Sequence, residues 1–152
     1  MAYFSFTNKL INGEKIKIFN YGNCKRDFTY IDDIVDGIIK VIGKAPSKQN
    51  GEDGLPIPPY KIYNIGNNHP ENLLDFVNIL QEELIRAKVL PSDYDFDSHK
   101  ELVPMQPGDV PITYADTRVL EQDFGFKPST QLRVGLRKFA EWYYDYYVKG
   151  QK

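Results

Sequence analysis

Four prolines fall between positions 46 and 59, with Gly51 and Gly54 among them. Proline removes a backbone donor and fixes φ, so neither a helix interior nor a central strand can cross this stretch. The segment is expected to be a surface loop, and it is too long for a simple connector. On both sides of it, short β-leaning runs alternate with helical stripes. Upstream, residues 2–10 read as a helix stopped by Asn12 and Gly13. Residues 15–20 place Ile16 and Ile18 against Lys17, the alternation of a half-buried strand. Residues 26–31 are β-leaning, and if extended they put Arg26, Phe28 and Tyr30 on one face. Asp32 or Asp33 then caps a helix whose Ile34, Ile38, Val41 and Ile42 form one stripe expected to be buried, and Gly43 ends it.

Downstream, residues 61–65 read as a strand closed by Gly66, Asn67 and Asn68. Asn72 and Asp75 have capping-box spacing ahead of a helix carrying Leu73, Val77, Leu80 and Leu84. Leu102, Val103 and Met105 suggest a short extended piece. Asp116 caps a short helix that Gly125 stops. A last helix runs over about residues 134–148, with Arg133 unfavourably close to its positive end. The sum is a small, irregular α/β domain of short strands and four to five helices, without a complete doubly wound sheet. One domain over residues 1–152 fits that length.

Composition narrows the function classes. The chain is 41% apolar and 26% charged with a formal net charge of -2. That balance suits a soluble globular domain and disfavours nucleic-acid binding, which calls for a basic surplus. Cys24 has no cysteine partner in the chain, no apolar run matches a membrane span, and no signal peptide is present, so a cytoplasmic setting is expected.

Familiar reaction chemistry is hard to find. A dinucleotide site needs a strand, a glycine-rich turn and a helix N-terminus. Gly51 and Gly54 lie in the proline-rich loop with neither flank. A helical tyrosine with a lysine four residues on is an acid/base arrangement, and Tyr21 and Lys25 have the spacing. Gly22 and Asn23 between them indicate a turn instead. His69 and His99 are isolated from one another and from other ligands, so no metal site is expected. Asp95 and Asp97 read as a solvated turn.

Two runs carry a resemblance: FNYGNCKRDFTYIDD from Phe19 to Asp33, and PMQPGDVPITYAD from Pro104 to Asp116. Three further pieces agree with them: YKIYNIGN from Tyr60 to Asn67, FGFKP from Phe124 to Pro128, and FAEWY from Phe139 to Tyr143. In this order and at this spacing, covering residues 1–147, the chain resembles the C-terminal, substrate-binding part of extended short-chain dehydrogenase/reductases acting on nucleotide sugars. The UDP-glucuronate 4-epimerases are the nearest subgroup. The resemblance implies an NAD-binding Rossmann domain upstream, which also holds the Tyr/Lys acid/base pair. It implies that the region in hand grips the UDP group, with no catalytic residue, cofactor or metal of its own, and that alone it is inactive.

The implied grip can be named. Arg26 takes the position of a phosphate-binding arginine, and a guanidinium offers permanent, bidentate charge. A strand arginine paired with a surface acid is its other reading. Asp109 matches an acid that accepts from ribose hydroxyls, or else it is a turn aspartate after Pro107 and Gly108. Gln106 stands where galactose-type relatives carry a second arginine, which tilts the sugar toward a uronate such as UDP-glucuronate. Lys17 to Phe19 lies where relatives pass the uracil, with burial in a sheet the alternative for Phe19. The helix at Met1 to Leu10 directly follows the family's sugar-contacting segment, which sets Phe4 or Asn8 toward the sugar, with core packing or simple surface exposure the alternatives. A sibling decarboxylase or 4,6-dehydratase, or a non-catalytic nucleotide-sugar-binding module, remains a second reading, and the oligomeric state is open.

Overall fold

The computed structural model describes residues 1–150. Five α-helices and six short strands follow in the order α1 (Ala2–Ile11), β1 (Ile16–Ile18), β2 (Lys25–Asp27), α2 (Ile31–Ile42), β3 (Gln49–Asn50), β4 (Pro56–Ile57), β5 (Pro70–Asn72), α3 (Leu73–Arg86), β6 (Lys100–Leu102), α4 (Arg118–Phe124) and α5 (Leu132–Tyr143). The α/β class and the helix number agree with the sequence. The chain separates into two compact units. The first takes Met1–Arg26, Pro70–Thr113 and the described residues from Gln131 onward; the second takes Asp27–His69 and Tyr114–Thr130.

In the first unit, β1 buries Ile16 and Ile18 completely and turns Lys17 outward. It pairs in parallel with β6, Lys17 in register with Glu101. The strand stops two residues earlier than the alternation predicts. Phe19–Gly22 form a tight turn in which Asn20 (φ 51) and Tyr21 (φ 52) are left-handed, followed by Gly22 at φ +84. Two consecutive non-glycine residues there are strained by about 1–2 kcal/mol each. The Tyr21 N–H donates to the Val103 carbonyl at 3.0 Å, and Asn20 Nδ2 donates to the Asn23 carbonyl at 2.8 Å, which holds the turn. A Cβ at Gly22 would lie 2.4 Å from Leu74 Cγ, so this position also needs glycine for space.

Helix α3 begins as the sequence indicates, with Asn72 Oδ1 accepting from the Leu74 N–H at 2.8 Å. Its Phe76, Val77, Leu80 and Leu84 are wholly buried and pack on α5, which contributes Leu136, Ala140 and Tyr143. Where these helices meet, Glu83 is 2% exposed and is surrounded by guanidinium groups. Arg133 Nη1 lies 3.1 Å from Glu83 Oε1, Arg137 Nε 3.1 Å from Oε2, and Arg86 Nε 3.6 Å from Oε2. Burial alone pushes the Glu83 carboxyl up. The hydrogen bonds from Arg137 and Arg133 and the nearby positive charge outweigh it, and the net shift is downward. Arg133 therefore loses little from its place at the α5 N-terminus, because Glu82 at 2.7 Å joins Glu83 in neutralising it. Aromatic rings close the unit: Tyr3 stands edge-on to Phe139 with centroids 4.7 Å apart, and the Tyr143 hydroxyl donates to Asn8 Oδ1 at 2.8 Å.

The second unit departs further from the sequence. Neither Asp32 nor Asp33 is the cap of α2. Tyr30 holds that position without a side-chain capping bond to the helix, and both aspartates sit in the first turn. Asp33 Oδ2 instead accepts from the Thr130 N–H at 3.0 Å. The apolar stripe of α2 is not buried: Gly37 is the one buried residue of the helix, while Ile38 is 47% and Ile42 81% exposed. Residues 61–65 form no strand, for a strand needs a neighbour about 4.8 Å away and no described strand runs beside them. Ile62 in this segment is 77% exposed. The proline-rich loop contains a small antiparallel ribbon, β3 with β4, pairing Gln49 with Ile57.

What unifies this unit is Asp27. Its Oδ2 accepts from the Asn68 N–H and the Ala115 N–H, both at 3.0 Å. Gly66 lies between them, and a Cβ there would be 2.4 Å from the Ala115 Cβ. Helix α4 ends at Gly125 in the left-handed conformation, as its sequence predicts. Asp123 on α4 bonds Lys61 and, at 2.6 Å, the Tyr63 hydroxyl; these donors hold its carboxyl below the usual range. No helix among the described residues is long and apolar enough to cross a membrane.

Candidate functional site

The first unit gathers the site from two distant stretches. On β2, the Lys25 N–H donates to the Pro111 carbonyl at 2.8 Å, and the Thr113 N–H returns a bond to the Lys25 carbonyl at 3.2 Å. This parallel bridge between Lys25 and Ile112 brings residues 106–109 to Arg26. There the chain turns. The Asp109 N–H donates to the Gln106 carbonyl at 3.2 Å, and Gly108 takes φ +83. Proline then glycine at the two central positions, with positive φ at the glycine, is the signature of a type II turn.

Arg26 is held at both nitrogens of its fork. Nη1 donates to the Lys25 carbonyl at 3.0 Å and to the Pro111 carbonyl at 3.4 Å. Nη2 donates to Asp109 Oδ1 at 2.7 Å. The same oxygen accepts from the Val110 N–H at 2.8 Å. The pair is partly open to solvent, with side-chain exposures of 24% for Arg26 and 33% for Asp109. A fixed guanidinium beside a fixed carboxylate can bind a ligand that carries both an anion and hydroxyl donors.

The other expected site residues stand differently. Gln106 opens the same turn, exposed, with its carbonyl engaged. Lys17 is exposed on β1, and Phe19 is half-buried in the turn after the strand rather than on the strand. No hydrogen bond or ion pair among the described residues links Lys17 or Phe19 to Arg26 or Asp109. Phe4 packs against Tyr143 and Tyr147, with centroids 5.8 and 5.9 Å away, and Asn8 accepts from Tyr143. Both are half-buried and make these contacts within the first unit. Sequence reading missed the carbonyls of Lys25 and Pro111, which orient Arg26. Main-chain groups leave no trace in residue identity.

Cofactor chemistry has little to hold on to here. Gly51 and Gly54 belong to the β3–β4 ribbon, where the Gly51 N–H donates to the Leu55 carbonyl at 2.8 Å, and no helix follows them. Tyr21 and Lys25 share no helix, since one is in the left-handed turn and the other on β2. His99 Nδ1 lies 2.6 Å from the Asp95 carbonyl, and Asp95 accepts from the Ser98 N–H at 3.2 Å. No group of three or more metal-ligating side chains occurs among the described residues.

Comparison with known proteins gives this geometry a context. Residues 1–66 match the model of the NAD dependent epimerase/dehydratase family. Protein CapI of Staphylococcus aureus is 41% identical over 98% of this chain, which spans 43% of that protein. UDP-glucuronate 4-epimerase 4 of Arabidopsis thaliana is 39% identical over 100% of the chain, which spans 34% of it. The chain is thus well under half the length of these relatives. Among solved structures, a Thermotoga maritima UDP-glucose 4-epimerase with UDP-glucose superimposes with a TM-score of 0.71 at 22% identity, covering 96% of this chain and 40% of that one. A UDP-glucuronic acid 4-epimerase from Bacillus cereus, in complex with UDP-glucuronic acid and NAD, gives 0.70 at 21% identity, covering 97% and 40%. At these identities the structures establish the fold.

Proposed function

We infer from this chain's membership of the NAD dependent epimerase/dehydratase family that it is the UDP-sugar-binding part of a nucleotide-sugar 4-epimerase acting on a uronate, UDP-glucuronate foremost. The observation that carries this reading is the Arg26–Asp109 pair, 2.7 Å apart across 83 positions of sequence. Arg26 binds the diphosphate, and Asp109 accepts from the ribose hydroxyls. Gln106, in the same turn, adds a neutral amide where a second cation would otherwise stand. Lys17 and Phe19 flank the uracil from β1 and the turn behind it.

In this reading NAD and the proton-transferring residues belong to a Rossmann domain of the kind the family implies, not to residues 1–150. That domain is also the partner for the second unit, whose exposed α2 stripe and residues 61–65, which join no strand among the described residues, are the surfaces a sheet-and-helix layer covers. The grip alone is then one wall of a site, so binding is weak and turnover absent.

The test is a titration of UDP-glucuronate followed by ligand-observed NMR, with the wild-type chain and Arg26→Ala. Signal transfer to the uridine protons from wild type, reduced about tenfold or more in the variant, is the expected result, because a charge-assisted bidentate contact is worth about 1.5–3 kcal/mol. Equal binding by both removes Arg26 from the site. Conversion of UDP-glucuronate by this chain with added NAD contradicts the assignment of the chemistry elsewhere.

A further inference from the structure

We propose that Tyr21 is a further ligand-contacting residue, an exposed aromatic face on which the planar base of the ligand stacks. The proposal rests on the nucleotide-sugar reading above and adds a side chain to which that reading gives no part.

The backbone of Tyr21 is the first observation. The non-glycine residues with positive φ are Asn20, Tyr21, Asn68 and Lys88. Asparagine tolerates this region, and Lys88 takes it just past the end of α3, where helices commonly close in this way. Neither reason applies to Tyr21. A bulky side chain there is an outlier, and such conformations persist where the surroundings enforce them and gather at ligand sites. The surroundings do enforce this one: the Tyr21 N–H donates to the Val103 carbonyl at 3.0 Å, and the Asn23 N–H to the Asn20 carbonyl at 2.8 Å.

The ring is the second. Gly22 is buried against Leu74 and takes the inner side of the turn, while Tyr21 is 53% exposed. Among the described residues its ring has no stacking partner, no cation and no hydroxyl hydrogen bond. A lone exposed apolar residue is ordinary. One fixed in a strained conformation, with no packing to hold it there, is not.

The third is its place. The bond from Tyr21 to Val103, and that from the Lys25 N–H to the Pro111 carbonyl at 2.8 Å, tie down both ends of residues 104–110, the stretch that carries Gln106 and Asp109. Tyr21 therefore stands at one foot of this loop, and Arg26 adjoins the residue at the other. Positions 21 and 25 are at most about 14 Å apart even in a fully extended chain, and the turn brings them closer. That is the order of the span from base to diphosphate in a nucleotide. A ligand whose diphosphate meets Arg26 thus has its base within reach of Tyr21. An aromatic ring stacks on any base by its face, so the contact favours a nucleotide over a bare anion without selecting the base.

Tyr21→Asn removes the ring but keeps a residue suited to positive φ, and Tyr21→Phe keeps the ring. UDP is titrated by proton NMR and inorganic pyrophosphate by phosphorus NMR, on wild type and both variants, with melts followed by circular dichroism. Tyr21→Asn is expected to melt no lower than wild type yet to bind UDP about tenfold more weakly, as loss of one base–aromatic stack requires. Its uracil protons lose saturation transfer relative to the ribose protons, its pyrophosphate binding is unchanged, and Tyr21→Phe binds UDP as wild type does. Unchanged UDP binding by folded Tyr21→Asn, or a loss shared equally by uracil and ribose signals, overturns the proposal and leaves the nucleotide reading standing. If folded wild type binds no UDP, both fall.

Discussion

Glu83→Gln tests the energetics of the α3–α5 interface. The substitution keeps shape and one carbonyl acceptor but removes a charge that is 2% exposed and contacted by Arg133, Arg137 and Arg86. Breaking a fully buried pair costs about 3–5 kcal/mol. Here the arginines reach solvent, at 44%, 39% and 51% exposure, and two of them keep other partners, Arg133 with Glu82 and Arg86 with Glu141. The stranded charge can therefore be rehydrated, which lowers the expected loss to about 2 kcal/mol, near the value of one strong charged hydrogen bond. At this chain length that corresponds to a fall in Tm of roughly 4–8 °C. Urea denaturation at pH 7 gives the free energy, and Glu82→Gln is the control, because an exposed pair is worth under about 1 kcal/mol. The pH dependence supplies a second reading. The folded-state pKa of Glu83 is depressed from 4.5, so its contribution is full above the unfolded value and is lost as pH falls below 4.5 and through the lower native value. The difference between wild type and Glu83→Gln should shrink on acidification across that window. Equal stability of Glu83→Gln and Glu82→Gln at pH 7 would refute the reasoning.

Two substitutions probe the backbone. Gly66→Ala sets a methyl 2.4 Å from the Ala115 Cβ and 3.0 Å from Asp27 Oδ2, and should destabilise by about 1–3 kcal/mol in urea melts; adding Ala115→Gly should recover part of the loss, and strict additivity would contradict the contact. Tyr21 is 53% exposed with φ 52, so Tyr21→Gly should raise stability by about 0.5–1 kcal/mol while Tyr21→Val lowers it by about 1 kcal/mol. Neutral behaviour of both variants in thermal denaturation would show that the turn carries no strain.

The sequence is most legible where a signal is local. Asn72 caps α3, Gly125 ends α4, and Pro107 with Gly108 makes the turn that presents Asp109, each for a reason contained within a few residues. Periodicity also gives the helices, but it does not say what covers them. Ile38 and Ile42 have the spacing of a core stripe and are exposed, because helical spacing reports a preference for burial and not the presence of a neighbour. The same holds for residues 61–65, whose alternation suits a strand with no ladder to join. Asp32 and Asp33 look like caps by residue type, yet Asp33 instead accepts from Thr130, 97 positions away. At the site, Arg26 and Asp109 are nameable from the motifs, yet their pairing is not, since nothing local couples them. The carbonyls of Lys25 and Pro111 are invisible to any reading of side chains.

The bridge that aims Arg26 has a consequence in time. Arg26 and the Pro111 carbonyl are separated by 85 positions, and the whole of Asp27–His69 lies between them in the chain. At a synthesis rate of about 5–20 residues per second, the arginine emerges from the ribosome roughly 4–17 s before its anchor does. During that interval the Asp27–Asn68 bond already has both of its partners, whereas the guanidinium has neither Pro111 nor Asp109. The Arg26–Asp109 pair therefore cannot form until residue 109 has emerged, and a nascent polypeptide stalled before it carries a charged arginine without its carboxylate partner.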